Sequence, residues 1–382
     1  MTAVLSLSEE RFSRFERVEW WDQAKLRNAR VVVAGAGALG NEVIKDLALL
    51  GVGKLVIADM DRIEISNLTR SPLFRASDAG ELKAEVAARA AKDLYPDIEV
   101  HAVTGNILAG LGLGFMRWAD VVVGALDNRE ARVFINSACA RVGRPWIDGG
   151  IEVLQGIARG FAPPETACYE CTMSEVDWQV INKRRSCSLL ARRAMEHGGT
   201  PTTPTTAAVI GAIQAQEVVK IVHGMPALLG EGFVFEGGMH SSYGVSYPIN
   251  PDCPWHEPVA PVEALADASS DTPLSSVAAR AAQILGGVDA VELGRELVEQ
   301  LECTSCGSRR QMLRPIDSLT EADAVCERCG ADSFPHFLHT ITSGSELMTR
   351  TPRQLGLPPW DIVWARRGEQ YLGLEFAGDA PW

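Results

Sequence analysis

RVVVAGAGALGNEVIKDLALLGVGKLVIADMDRIE, residues 30–64, is the stretch from which the rest of the chain is read. Val31, Val32 and Val33 form a β-branched run that leads into Gly35, Gly37 and Gly40 in the spacing G-x-G-x-x-G. The pattern predicts a buried strand turning sharply into a helix, because glycine permits the turn and lets the backbone approach a ligand. Gly51 and Gly53 then break the chain, and Lys54 to Ala58 form a second apolar strand that ends on Asp59, nineteen residues beyond Gly40. Backbone N–H groups at a helix start attract phosphate, and an acidic side chain at the end of the next strand accepts hydrogen bonds from ribose hydroxyls. Strand, glycine turn, helix, strand and acid in that order predict a nucleotide site.

At 382 residues the chain has room for more than one domain. A hydrophobic content of 46% and a charged content of 22% describe an ordinary globular protein. No apolar run approaches the roughly 18 residues of a membrane span, and the N-terminus lacks a signal-peptide pattern, so a cytoplasmic protein with no membrane partner is expected. The net charge of −13 argues against nucleic acid as a partner, since binding phosphates needs a basic surface. Six of the nine cysteines fall in three C-x-x-C pairs, which in a reducing compartment read as metal ligands.

Residues 9–28 predict an N-terminal helix with Phe12, Phe15, Val18 and Trp21 at helical spacing; Arg11 and Arg14 read, on spacing alone, as a solvated basic face. Beyond Asp59 the pattern predicts a helix over 79–94, closed by Pro96, and a strand over 98–103. The loop between holds Asn67, Arg70 and Arg75, and the helix's first turn holds Lys83, a set of cations suited to a triphosphate or to ordinary surface. Residues 120–126 predict another buried strand, with Asp127 and Asn128 at its C-terminal end. Asp127 there can hold Mg²⁺ against phosphates or cap the next helix. The alternation through residue 160 predicts a doubly wound, Rossmann-like α/β domain that binds at the C-terminal ends of its strands.

The runs GAGALG, ADMD, SNLTRSPLFR, DAGELKAEVAA and LDNREAR resemble the adenylation domain of ubiquitin-like activating enzymes and ThiF-type adenylyltransferases, over about residues 9–260. The resemblance implies adenylation of the C-terminal glycine of a ubiquitin-fold or sulfur-carrier protein by Mg·ATP. It makes Gly35, Gly37, Gly40, Asp59, Asp61 and Asn128 nucleotide ligands, with Asp59 on the ribose. Asn67, Arg70 and Lys83 take the phosphates, and Asp127 the Mg²⁺. It also implies a homodimer in which Arg14 reaches the neighbour's site, and a structural zinc on Cys168, Cys171, Cys253 and His256, where histidine stands in place of the family's usual cysteine. Cys3His is an ordinary tetrahedral zinc set.

Cys187, in KRRSCSLLARRAM, is unpaired in sequence. A single thiol is inert by default, but Lys183, Arg184, Arg185, Arg192 and Arg193 surround it with charge that favours a thiolate. A thiolate can attack an acyl adenylate to form a thioester, and relatives that pass their protein to a conjugating enzyme carry a cysteine in this region. Cys139, inside an apolar helix, reads as core.

Residues 258–278, rich in Pro, Ala, Ser and Asp, read as a linker between a domain at 1–257 and another at 279–382. In the second domain a helix is expected over 288–301. The pairs Cys303/Cys306 and Cys326/Cys329, separated by nineteen intervening residues and each followed by glycine, predict a four-thiolate structural zinc. Trp360 and Trp364, near two tail strands, are core or a docking patch. The reading reached is a ubiquitin-like protein activating enzyme with a thioester on Cys187. Its alternatives are a sulfur-carrier adenylyltransferase with no thioester step, a non-catalytic nucleotide-binding scaffold and, from the glycine fingerprint, a dehydrogenase.

Overall fold

The structure is a computed structural model that describes residues 11–179 and 201–382. Its main sheet has eight strands in the order β3-β2-β1-β4-β5-β6-β7-β8. Five are parallel: β1 (Arg30–Ala34), β2 (Lys54–Asp59), β3 (Glu99–Thr104), β4 (Val121–Gly124) and β5 (Trp146–Glu152). Antiparallel strands β6 (Gln155–Phe161), β7 (Glu231–Glu236) and β8 (Ser241–Ser246) extend it. The valine run of β1 is continuous because both faces of the strand are covered. Val31 and Val33 face the helices Ala38–Leu50, Lys83–Leu94 and Pro204–His223. Val32 and Ala34 face the helices Leu113–Trp118 and Arg129–Val142, where Cys139 is fully buried as expected.

The expected N-terminal helix over 9–28 is broken. A 3-10 turn, Phe15–Arg17, and the helix Gln23–Asn28 are separated by an extended Val18, and Asp22 accepts the N–H groups of Ala24 and Lys25 to start the second piece. Tertiary contacts override the periodicity: Phe12 meets Tyr95 edge-on at 5.6 Å, and Trp20 and Trp21 pack on His223. The helix expected over 79–94 starts only at Lys83, because Gly80 is left-handed and residues 80–83 bond back to Ile63 and Asp61.

The larger corrections lie beyond residue 258. Inside the expected linker are β9 (Val262–Ala264) and the first turns of the helix Leu274–Leu285. The expected helix over 288–301 is instead β10 (Ala290–Cys303). It pairs with β11 (Arg309–Pro315), which follows it directly, and with the more remote β12 (Ser333–Thr342) and β13 (Ile362–Arg367). Its alternation is disguised because a buried arginine, Arg295, occupies one inward position and the register shifts near Val298. β13 pairs with β14 (Gln370–Glu375), which runs parallel to β9, so the second sheet recruits the supposed linker as an edge strand. This sheet is laid against the first. Trp360, Ile362 and Trp364 share a core with Val32, Val56, Val122, Leu113 and Ile135, so both tryptophans are core.

Candidate active site and metal centres

In the main sheet the chain leaves β1 toward β2 and β3 on one side, then crosses to β4 and β5 on the other. A crevice therefore opens at the C-terminal ends of β1 and β4, the usual ligand position in such sheets. Gly35 has φ +99°, and its N–H donates to Ala58 O at 2.8 Å. A Cβ there would run into the carbonyl of Ala125, and one at Gly40 into the carbonyl of Gly35. At Gly37 a Cβ would meet nothing within 4 Å. Two glycines thus shape the turn and the middle one leaves open space where the helix Ala38–Leu50 begins with no side-chain cap. Uncapped N–H groups facing open space are able to receive phosphate oxygens.

Asp59 ends β2, 8% exposed, with Oδ2 accepting the Ala36 N–H at 2.7 Å and Oδ1 the Asp61 N–H at 2.8 Å. Burial pushes its carboxyl above the ordinary range, against the pull of those amides. Its lone pairs are only partly used, so it can still accept from a ribose. Lys83 is gathered in by an ion pair with Asp61 at 2.8 Å. Asn67 accepts the Glu64 N–H at 3.0 Å, and Arg70 donates to Ser66 O at 3.1 Å. Arg75 is turned to its own loop, donating to the carbonyls of Pro72 and Phe74.

Beside β4, Asn128 caps the helix Arg129–Val142 through a 2.8 Å bond from the Ala131 N–H, while Asp127 is exposed and, among the described residues, accepts only from Asn128 at 3.2 Å. The cap and the free carboxylate are therefore different residues, and Asp127 is available to a cation. Mg²⁺ commonly takes one or two carboxylates plus substrate phosphates, which this donor fits.

Several residues missed in sequence hold this arrangement. Asn41 donates to Ala36 O at 2.7 Å and accepts the Leu73 N–H at 3.0 Å, tying the glycine turn to the loop that carries Arg70. Asp148, fully buried on β5, is gripped by Arg132 at 2.8 Å and Arg159. Burial opposes its charge, yet the two guanidinium groups hold its carboxyl below the usual range. Arg132 also donates to Leu126 O at 2.6 Å and Gly149 O at 3.0 Å, fixing the strand end before Asp127. The only sequence signal was an arginine inside LDNREAR and an aspartate inside an apolar strand.

Arg14 is exposed at the opposite edge of the sheet. Its segment packs where the strands begin, with Phe12 against Gly51 and Tyr95, and with Leu26 O accepting the Gly53 N–H. Cys187 and its flanking basic residues lie outside the described residues.

Two sulfur clusters assemble as expected. Cys168, Cys171, Cys253 and His256 place their donor atoms within 4.8 Å of one another. Cys168 Sγ is 3.8 Å from Cys171 Sγ and 3.5 Å from Cys253 Sγ, and His256 Nε2 is 3.1 Å from Cys171 Sγ. His256 Nδ1 is 3.2 Å from Pro164 O, the contact that leaves Nε2 for a metal. Cys303, Cys306, Cys326 and Cys329 form the second cluster, with Sγ separations of 3.4 Å (Cys303–Cys329) and 3.8 Å (Cys306–Cys326). Four thiolates at about 2.3 Å from one zinc lie about 3.8 Å apart, so both donor sets fit tetrahedral Zn²⁺. Among the described residues no helix is long and apolar enough to cross a membrane.

A model of the ThiF family matches residues 10–254. The chain belongs to the ThiF family. A SAMP-activating enzyme E1 of Haloferax volcanii is 33% identical over 264 residues, 66% of this chain and 91% of that protein. A sulfur carrier protein adenylyltransferase of Thermus thermophilus is 32% identical over 238 residues, 61% of this chain and 83% of that protein. Among solved structures, E. coli MccB with ATP superposes with a TM-score of 0.54 at 25% identity, covering 66% of this chain and 75% of that one. The ThiF match includes the glycine turn, Asp59, Lys83, Asp127 and the Cys3His cluster except for His256, and ends before the second sheet.

Proposed function

We propose that this ThiF-family chain is an adenylyltransferase that activates the C-terminal carboxylate of a ubiquitin-like or sulfur-carrier protein with ATP. The observation that carries the reading is the convergence, at the ends of β1, β2 and β4, of an open glycine turn, a buried acid, a lysine held in an ion pair and an exposed carboxylate. The names of the Haloferax and Thermus relatives point the same way. A dehydrogenase would have no use for the cations after Asp59.

In this reading Asp59 receives the ribose hydroxyls, and the N–H groups near Gly37 receive phosphate oxygens. Asn67, Arg70 and Lys83 bind the outer phosphates, with Asp61 orienting Lys83. A substrate carboxylate oxygen attacks the α-phosphorus, the bond from that phosphorus to the α,β-bridging oxygen breaks, and pyrophosphate leaves with that oxygen. The step gathers negative charge, and cations already held in place stabilise it without reorganising. Mg²⁺ bound through Asp127 would add charge neutralisation to that set. Because Arg14 is at the far edge of its own sheet, a homodimer is the arrangement that delivers it to a site. Both zinc ions are structural, since neither set leaves an open position. Ligand sets that need reduced thiols agree with a cytoplasmic setting.

The finer reading adds a thioester: Cys187 attacks the acyl adenylate, AMP leaves, and the acyl group passes to a conjugating enzyme. Adenylation without a thioester is favoured instead by the sulfur-carrier adenylyltransferase relative. The test is incubation with Mg·ATP and a cognate ubiquitin-fold protein. ATP–pyrophosphate exchange is expected, with a thiol-sensitive adduct on non-reducing gels that Cys187→Ala abolishes. Lack of exchange would remove the adenylation reading, and an adduct that survives Cys187→Ala would remove the thioester.

A further inference from the structure

The second sheet lies beyond the ThiF match, yet it completes a part of the first domain that borders the nucleotide crevice. β3 ends beside Asp59: Thr104 pairs with Asp59 in register, and Gly105 N–H donates to Asp59 O at 3.3 Å. From there the chain makes two short helices, Ile107–Gly110 and Leu113–Trp118. Helices this short leave most of their terminal carbonyls and amides without internal partners. The second sheet supplies those partners. Arg295, from the middle of β10, donates to the carbonyls of Leu108 at 2.6 Å and Leu111 at 3.3 Å, at the C-terminal end of the first helix. Asp361 Oδ1 accepts the Leu113 N–H at 2.9 Å, and Trp360 O accepts the Gly114 N–H at 2.8 Å, at the N-terminus of the second.

The two capping side chains are an ion pair at 3.1 Å, 7% and 1% exposed as residues. Trp360 holds φ +52°, and a Cβ on Gly112 or Gly114 would collide with it. Farther along, Arg117 of the second helix pairs with Glu375, which also accepts the Trp360 indole N–H at 2.6 Å. A basic group at one helix's C-terminus and an acidic group at the next helix's N-terminus are each favoured by the helix dipole. Here one buried pair serves both at once.

We infer that Arg295 and Asp361 are positioning residues for the nucleotide site: the second sheet clamps residues 105–114 and thereby holds the strand end beside Asp59. The inference rests on the nucleotide reading of that crevice. It makes the C-terminal region part of the nucleotide-binding module rather than a tethered appendage.

The test uses the full-length zinc-loaded protein and a fluorescent N-methylanthraniloyl ATP. Arg295→Met is expected to weaken binding on the order of tenfold, the size of effect seen when a coupled network is broken. Arg295→Lys, which keeps the charge but cannot fork to Asp361 and two carbonyls, falls between it and the parent. Asp361→Asn retains an acceptor for Leu113 N–H and gives a second, milder variant should Arg295→Met fail to fold. In pyrophosphate exchange the loss falls on the KM for ATP, with kcat within about twofold at saturation. A lowered melting temperature with unchanged nucleotide affinity in Asp361→Asn and Arg295→Lys would overturn the inference. A parent protein that binds the nucleotide but performs no exchange would sink adenylation alone, leaving the clamp to be judged on affinity. If the parent binds no nucleotide, both fall.

Discussion

Substituting the three glycines of the turn one at a time by alanine separates shape from binding. Gly35→Ala asks an L residue to hold φ +99°, which costs about 1–2 kcal/mol, and drives a Cβ to 2.3 Å from the Ala125 carbonyl oxygen and 3.0 Å from its carbon. Relieving that overlap costs about another 1–3 kcal/mol, so a loss of roughly 2–5 kcal/mol in stability is expected. Gly37→Ala meets nothing within 4 Å and keeps an ordinary φ of −75°. Its stability cost is that of a poorer helix N-cap, under about 1 kcal/mol. The new methyl nevertheless enters the space assigned to phosphate. ATP affinity should therefore fall on the order of tenfold, about 1.4 kcal/mol. Urea unfolding gives the first quantity and titration calorimetry with Mg·ATP the second. A Gly37→Ala protein as unstable as Gly35→Ala, or one with parental ATP affinity, would refute the assignment of shape to one glycine and binding to the other.

Asp148→Asn leaves Arg132 and Arg159 facing each other in a buried site, and about 3–5 kcal/mol of stability should be lost near neutral pH. Because the Asp148 carboxyl is depressed in the folded protein, its contribution is full above the unfolded carboxylate value of about 3.9 and declines as pH falls through the lower folded one; the variant's acid unfolding curve should thus be flatter below about pH 4. Metal analysis should find about two zinc ions per chain, falling to about one in His256→Ala, with His256→Cys restoring the second; a parent chain with a single zinc would exclude the Cys3His site first. Arg14→Ala and Asp127→Ala proteins, each inactive, should regain up to about a quarter of parental exchange activity when mixed as subunits, since one of two hybrid sites is intact and about half the dimers are hybrid. Absence of any recovery in a verified mixed dimer would exclude an arginine acting across subunits.

The nucleotide half of the fold was legible in the chain because its determinants are local. The valine run of β1, the turn through Gly35 and Gly40 and the acid at the end of β2 all fall within residues 30–64, and each follows from backbone geometry or from burial of both sheet faces. The cluster of Cys303, Cys306, Cys326 and Cys329 was legible for the same reason, since each C-x-x-C turn is made by neighbours. Periodicity misled where long-range pairing decided the outcome. β10 read as a helix because its strand alternation includes Arg295 and is interrupted near Val298, and its pairing with β11, β12 and β13, the last reaching to Arg366, makes it a strand. The segment with β9 looked like a linker because three residues of edge strand carry almost no pattern of their own.

Sequence by itself determined the doubly wound half, its glycine turn, the Asp59 and Asp127 positions and the four-cysteine set, since these depend on residue type at short spacing, while the Cys3His set came from the resemblance to the family. Tertiary structure alone decided that Asn128 rather than Asp127 caps its helix, that Arg132 and Arg159 neutralise Asp148, and that Arg295 and Asp361 cap helices 187 and 248 residues away in the chain. Each of these is a buried charge or an orphan backbone group whose partner is chosen by packing, and no local pattern records which distant group will arrive to satisfy it.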